Sequence, residues 1–136
     1  MAEILLIGDT QVRMDSYALT LSAIGHDVEL CGTLYAARDR LSGPAVDLAI
    51  VDVTSPDGGL GLLCGQIVAA WAKVRTLALT PYHDFSHTKL EQMGLWKPTN
   101  ALVHPVSDVR LVQSVTQLLA PGVIAQSASS HMQERL

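Results

Sequence analysis

The run Leu48-Ala49-Ile50-Val51, bracketed by Asp47 and Asp52, constrains the fold more than any other stretch of the chain. So short and so apolar a segment reads as a strand of a parallel sheet, buried on both faces. Its last residue, Asp52, then falls at the carboxyl edge, where open α/β folds keep their chemistry. The pattern recurs. Ile4 to Ile7 leads through Gly8 to Asp9, Leu77 to Leu79 ends at Thr80, and Ala101 to Val103 ends at His104-Pro105. These runs deliver carboxylates, a hydroxyl and an imidazole to one rim.

Helical patterns alternate with the runs. Met14, Tyr17, Ala18, Leu21 and Ile24 recur at three- and four-residue steps, and Gly25 is the natural stop of that helix. Val28 to Leu30 reads as a short strand, and Leu34, Ala37 and Leu41 as a weaker helix ending before Gly43-Pro44. Beyond the loop from Ser55 to Gly59, the residues Leu60, Leu63, Cys64, Ile67, Val68 and Trp71 form the cleanest apolar stripe. Arg75 to Thr80 is the fourth strand, Asp84 to Met93 a weak helix and Asn100 to Val103 the fifth strand. Ser107 or Asp108 caps a last helix whose buried face is expected to be Leu111, Val112, Val115, Leu118 and Leu119. Five strands joined by helical crossovers imply a parallel sheet covered on both faces, an α/β three-layer sandwich. Handedness limits the topologies, but the pattern alone does not set strand order.

With 136 residues the chain is expected to form one domain over residues 1–120, followed by a flexible tail, 121–136, rich in Ser and Gln. Its net charge of −4, with nine scattered Lys and Arg, argues against a nucleic-acid partner, whose phosphates need a basic face. No stretch approaches the roughly 18 to 20 apolar residues that cross a bilayer. Without a signal-peptide pattern the expected location is the cytoplasm, where Cys31 and Cys64 stay reduced and serve as small core residues. His83 and His87, with Asp84 beside them, have the spacing of a zinc pair but no further ligands, so a solvated helix face explains them better. Trp71 reads as a packing residue and Trp96 as a surface one.

The residues at the rim carry a resemblance. Asp9, Asp52, Thr80 and His104-Pro105, spaced by one or two βα units, make the chain similar to the response-regulator receiver domain over about residues 3 to 120. The resemblance implies a flavodoxin-like (βα)5 fold with strand order 2-1-3-4-5. It also implies Asp52 as phosphoacceptor with Pro56 four residues on, Thr80 as the switch hydroxyl, and Asp9 with Asp52 holding Mg²⁺. The departures are as informative. The acid pair after the first strand is reduced to Gly8-Asp9, and His104 replaces the lysine before the proline. Ala101 stands where an aromatic switch residue is usual, and Pro81 follows Thr80 in place of a small residue. Lys97-Pro98 is a competing Lys-Pro, but it precedes the fifth strand and is read as a loop.

In a receiver, a carboxylate attacks phosphorus while Mg²⁺ and a lysine neutralise the charge on the equatorial oxygens. Mg²⁺ takes oxygen ligands, so Asp9 and Asp52 could hold it, though more weakly than three acids. A lysine 4 Å from a unit negative charge contributes roughly 4 kcal/mol at an effective dielectric of 20. Neutral histidine cannot supply that; protonated His104 could in part, as a pH-dependent stand-in contacting the phosphoryl group, unless it only caps a strand end.

Three functions remain open. One is an atypical stand-alone receiver in a phosphorelay, not an enzyme, modified by a sensor histidine kinase and signalling by protein contact, with nothing after residue 120 that reads as an output module. Another is a phosphorylation-independent pseudo-receiver that binds a signalling partner. In both, the last helix-strand-helix portion is the expected contact surface, including for a homodimer. The third is a small α/β enzyme or cofactor binder, against which stands the absence of Gly-rich, Walker and nucleophile-elbow motifs.

Overall fold

Apolar side chains alternate between two faces along each central strand, and helices cover both. The computed structural model describes residues 1–8, 10–52, 66–67, 69–80 and 99–120. Asp9, Pro56, Cys64, Pro81, His83, Asp84, His87, Trp96, Lys97-Pro98, the weak helix from Asp84 to Met93 and the tail 121–136 lie outside them, as does most of the apolar stripe from Leu60. The elements are β1 (Glu3–Ile7), α1 (Gln11–Ala23), β2 (Asp27–Cys31), α2 (Leu34–Arg40), β3 (Leu48–Asp52), β4 (Arg75–Thr80), β5 (Asn100–Val103) and α3 (Asp108–Leu119). Residues 66–67 and 69–70 are also helical. The sheet is parallel throughout, in the order β2-β1-β3-β4-β5. That is the flavodoxin-like order the resemblance implied.

The period of two along the strands sorts the core into two layers. Leu5, Ile7, Ala49, Val51 and Ala78 pack with Ala37 of α2 and with Ile67 and Trp71. Ile4, Leu6, Leu48, Ile50, Leu77 and Leu79 pack with Met14, Tyr17 and Leu21 of α1 and Leu111, Val115 and Leu118 of α3. β3 is buried along its whole length, as its composition required. β2, at the sheet edge, buries only Cys31 and leaves Leu30 exposed.

Local chemistry ends the helices where the residues indicate. Gly25 takes φ +98°, a left-handed value that a side chain resists, and closes α1. Thr33 caps α2 by accepting from the Ala36 N–H at 3.0 Å, and Ser107 caps α3 by accepting from the Arg110 N–H at 3.2 Å. The face of α3 differs from expectation. Leu111, Ser114, Val115 and Leu118 are buried, while Val112 and Leu119 are only partly so. The i, i+3, i+4, i+7 positions set that stripe. Trp71 is buried, and Arg40 lies 5.4 Å above its ring while bonding Glu29 at 3.0 Å and the Pro44 carbonyl at 2.8 Å.

Candidate functional site

Strand register sets the polar rim residues in steps. Val51 lies opposite Ile7, Asp52 opposite Leu79, and Thr80 opposite Val103. Asp52 is therefore level with Gly8, while Thr80 and then His104 each stand one step further along neighbouring strands. All are at the carboxyl edge. Thr80 is fully buried, and its carbonyl accepts from the backbone N–H of His104 at 2.8 Å.

Alternation puts Asp52 on the face of Leu48 and Ile50, the side covered by α1. Only 1% of Asp52 is exposed, yet both carboxylate oxygens have cationic or potentially cationic partners. Arg13 of α1 donates from Nε to Oδ2 at 2.7 Å, and its Nη2 donates to Thr10 Oγ1 at 3.2 Å. His104 Nε2 lies 3.2 Å from Oδ1. A carboxylate this deeply buried loses its hydration, and charge-assisted hydrogen bonds replace it. The three residues come from β3, α1 and the turn after β5, so the site is made only by the complete sheet.

Next to it, at Gly8, the end of the Met14 side chain packs close to the backbone. A Cβ at Gly8 would lie 2.6 Å from Met14 Sδ and 3.1 Å from the Asp52 Cβ. The flexible end of Met14 fills that space, and a side chain at position 8 would have to displace it. An open groove of about 670 Å³ runs between α1 and the His104-Pro105 turn, and Thr10, Arg13, Tyr17 and Val106 line it. The Tyr17 phenol is raised from its ordinary value by burial first, then by the Asp52 carboxylate, with Arg13 opposing.

Of the residues singled out in the sequence, Asp52 and His104 are brought into contact, and Thr80 stands at the same edge. Asp9 lies outside the described residues. Arg13 was missed. Its signal is a cation in the first turn of α1, with no acid there, although the helix dipole disfavours positive charge at that end. Such a residue implies an acidic partner elsewhere in the fold.

Solved structures match this architecture closely. CheY4, the chemotaxis response regulator of Vibrio cholerae, superposes with a TM-score of 0.77 at 21% identity, over 88% of this chain and 99% of that one. The fold is that of the response-regulator receiver domains. A CheY-like receiver domain protein from Methanospirillum hungatei JF-1 gives 0.74 at 18% identity, covering 88% and 94%. The response regulator TrrA of Thermotoga maritima, solved in complex with Mg(2+)-BeF, gives 0.72 at 19%, covering 88% and 100%. No protein-family model matches the sequence, and no curated protein matches it. No helix among the described residues is long and apolar enough to cross a membrane.

The receiver fold raises the question of Mg²⁺, and of the two acids read for it only Asp52 is among the described residues. Among them no three His, Cys, Asp or Glu side chains are grouped to hold a metal. Arg13 already occupies one oxygen of Asp52, and His104 the other. Met14, whose thioether is a poor ligand for a hard cation, fills the space beside Gly8.

Proposed function

We propose that this chain is a receiver-fold signalling module that works without phosphoryl transfer, as a phosphorylation-independent pseudo-receiver binding a partner protein. The reading is carried by one observation: both oxygens of buried Asp52 are engaged, Oδ2 by Arg13 and Oδ1 by His104. A phosphoacceptor needs an oxygen open to attack and a cation to receive the phosphoryl charge. Here the positive charge is spent on the carboxylate itself. The missing lysine and Ala101 at the aromatic position support the same reading, because the first removes the phosphate's counter-ion and the second the bulky reporter of state. The module is not an enzyme on this reading. It acts in the cytoplasm, and its partner is another signalling protein.

A second reading has the shared edge of Asp52, Thr80 and His104 in its favour. In it a sensor histidine kinase modifies Asp52, Thr80 and protonated His104 contact the phosphoryl oxygens, and Mg²⁺ binds weakly through Asp52 and Asp9. One experiment separates the two. Incubation with Mg²⁺ and acetyl phosphate, or with Mg²⁺ and beryllofluoride, is expected to leave the intact mass and the amide NMR spectrum unchanged at pH 6 and at pH 8. An adduct that maps to Asp52 and is lost in Asp52→Asn would establish the phosphoacceptor instead. Greater modification at pH 6 would add His104 as the stand-in for lysine.

A further inference from the structure

We infer that Arg13 is the resident cation of the Asp52 site and that its guanidinium keeps a divalent metal off the carboxylate. The inference rests on the phosphorylation-independent reading and deepens it, because it names the group that holds the site closed.

The geometry of Arg13 is that of a built-in counter-ion. Its Nε is 2.7 Å from Oδ2 of an acid that is 1% exposed, and its Nη2 is tied to the Thr10 hydroxyl one turn earlier. A planar, always-charged fork held at two points has little freedom to swing away. Its position on the helix needs an explanation as well. A cation in a first turn meets the positive end of the helix dipole, and α1 has no acid there to offset it. Asp52, reached across the α1–β3 packing, supplies the offset.

The surroundings favour a guanidinium over a metal. Mg²⁺ or Mn²⁺ seeks several hard oxygen donors. The position level with Asp52 on β1 is Gly8, which brings no carboxylate, and the Met14 thioether lies over it, its Sδ 2.6 Å from where a Cβ would stand. A divalent ion on Oδ2 would lie close to the guanidinium, and the two like charges would repel, with solvent at the partly exposed Arg13 moderating the effect.

Mn²⁺ is the probe for the test, followed by calorimetry and by the electron-spin signal of the free ion at pH 7. Arg13→Gln keeps a donor but removes the charge, Arg13→Met is a second neutral variant in case the first folds poorly, and Arg13→Lys keeps the charge. Wild type and Arg13→Lys are expected to show no saturable binding. A neutral variant is expected to show saturable Mn²⁺ binding at least about tenfold tighter than the detection limit reached with wild type, and to melt at a higher temperature when Mn²⁺ is added. The gain should vanish when Asp52→Asn is combined with it. A merely structural arginine would lower stability without creating a metal-dependent melt. The inference is overturned if both neutral variants bind no better than wild type, or if the gain survives Asp52→Asn. Wild type inert to phosphoryl donors, with neutral variants blind to Mn²⁺, would sink this inference and leave the pseudo-receiver reading standing. A wild-type adduct at Asp52 would remove both.

Discussion

At Asp52 the carboxylate gives up nearly all its water, and what replaces it comes from residues far away in the chain. Arg13 lies 39 positions earlier and His104 52 positions later. Removing one partner of a buried pair strands the other, which costs more than removing both. Arg13 keeps 31% of its side chain exposed, so solvent moderates the effect. A double-mutant cycle of Arg13→Ala and Asp52→Ala, read by urea unfolding, is therefore expected to give a coupling of about 1–2 kcal/mol. A coupling within about 0.5 kcal/mol of zero would place the pair among ordinary surface ion pairs. The same separation in sequence explains what could be read beforehand. Asp52, Thr80 and His104 each end an apolar run, so periodicity alone puts them on the rim. Arg13 ends no run and belongs to no motif. Its partner becomes visible only when α1 is laid across β3.

Among the elements, legibility followed burial. β3 has a uniform apolar interior, and its ends were readable to the residue, because a strand buried on both faces admits few polar interruptions; β4 was read to its observed bounds although it buries Thr76, whose hydroxyl accepts from the Thr99 N–H at 3.0 Å. The helix stop at Gly25 and the α3 cap were legible for the same kind of reason, as each needs a particular residue type. The inner face of α3 was less so. Ser114 is polar and yet buried, because its place in the i, i+3, i+4, i+7 stripe and not its polarity sets which face it joins. Strand order was not legible from periodicity either, for nothing local tells β1 to pair with both β2 and β3. The α3 cap bears on the site because the helix starts just after the His104-Pro105 turn. Ser107→Ala removes the acceptor for the Arg110 N–H and is expected to cost about 1 kcal/mol in urea unfolding. Ser107→Asp should recover most of that loss, since an aspartate also caps and suits the helix dipole. Equal stability of wild type and Ser107→Ala would show that solvent satisfies the N–H as well as the hydroxyl does.

The sheet separates two cores, and among the described residues a group in each, neutral when protonated, resists losing its proton. Cys31, at the end of β2, lies in the layer with Ala37 and Trp71. Its thiol is raised above the ordinary 9.0 by burial and then by Glu29, against Arg40. Tyr17, on α1, lies in the other layer, and its phenol is raised above 10.0 by burial first, then by Asp52 and Asp108, against Arg13. In both, the folded chain holds the proton more tightly than the unfolded chain. Their contribution to stability is thus complete below the unfolded values and is lost as pH climbs through the folded ones. The urea midpoint is expected to be insensitive to these two groups up to about pH 9 and to fall above it, in two overlapping steps, Cys31 first. Cys31→Ala should remove the earlier part of the fall and Tyr17→Phe the later part, after allowance for each variant's own stability at pH 7. Because the two groups lie on opposite sides of the sheet and share no contact within either core, their effects should add. A double variant whose midpoint still falls as steeply as that of wild type would assign the alkaline limit to other groups.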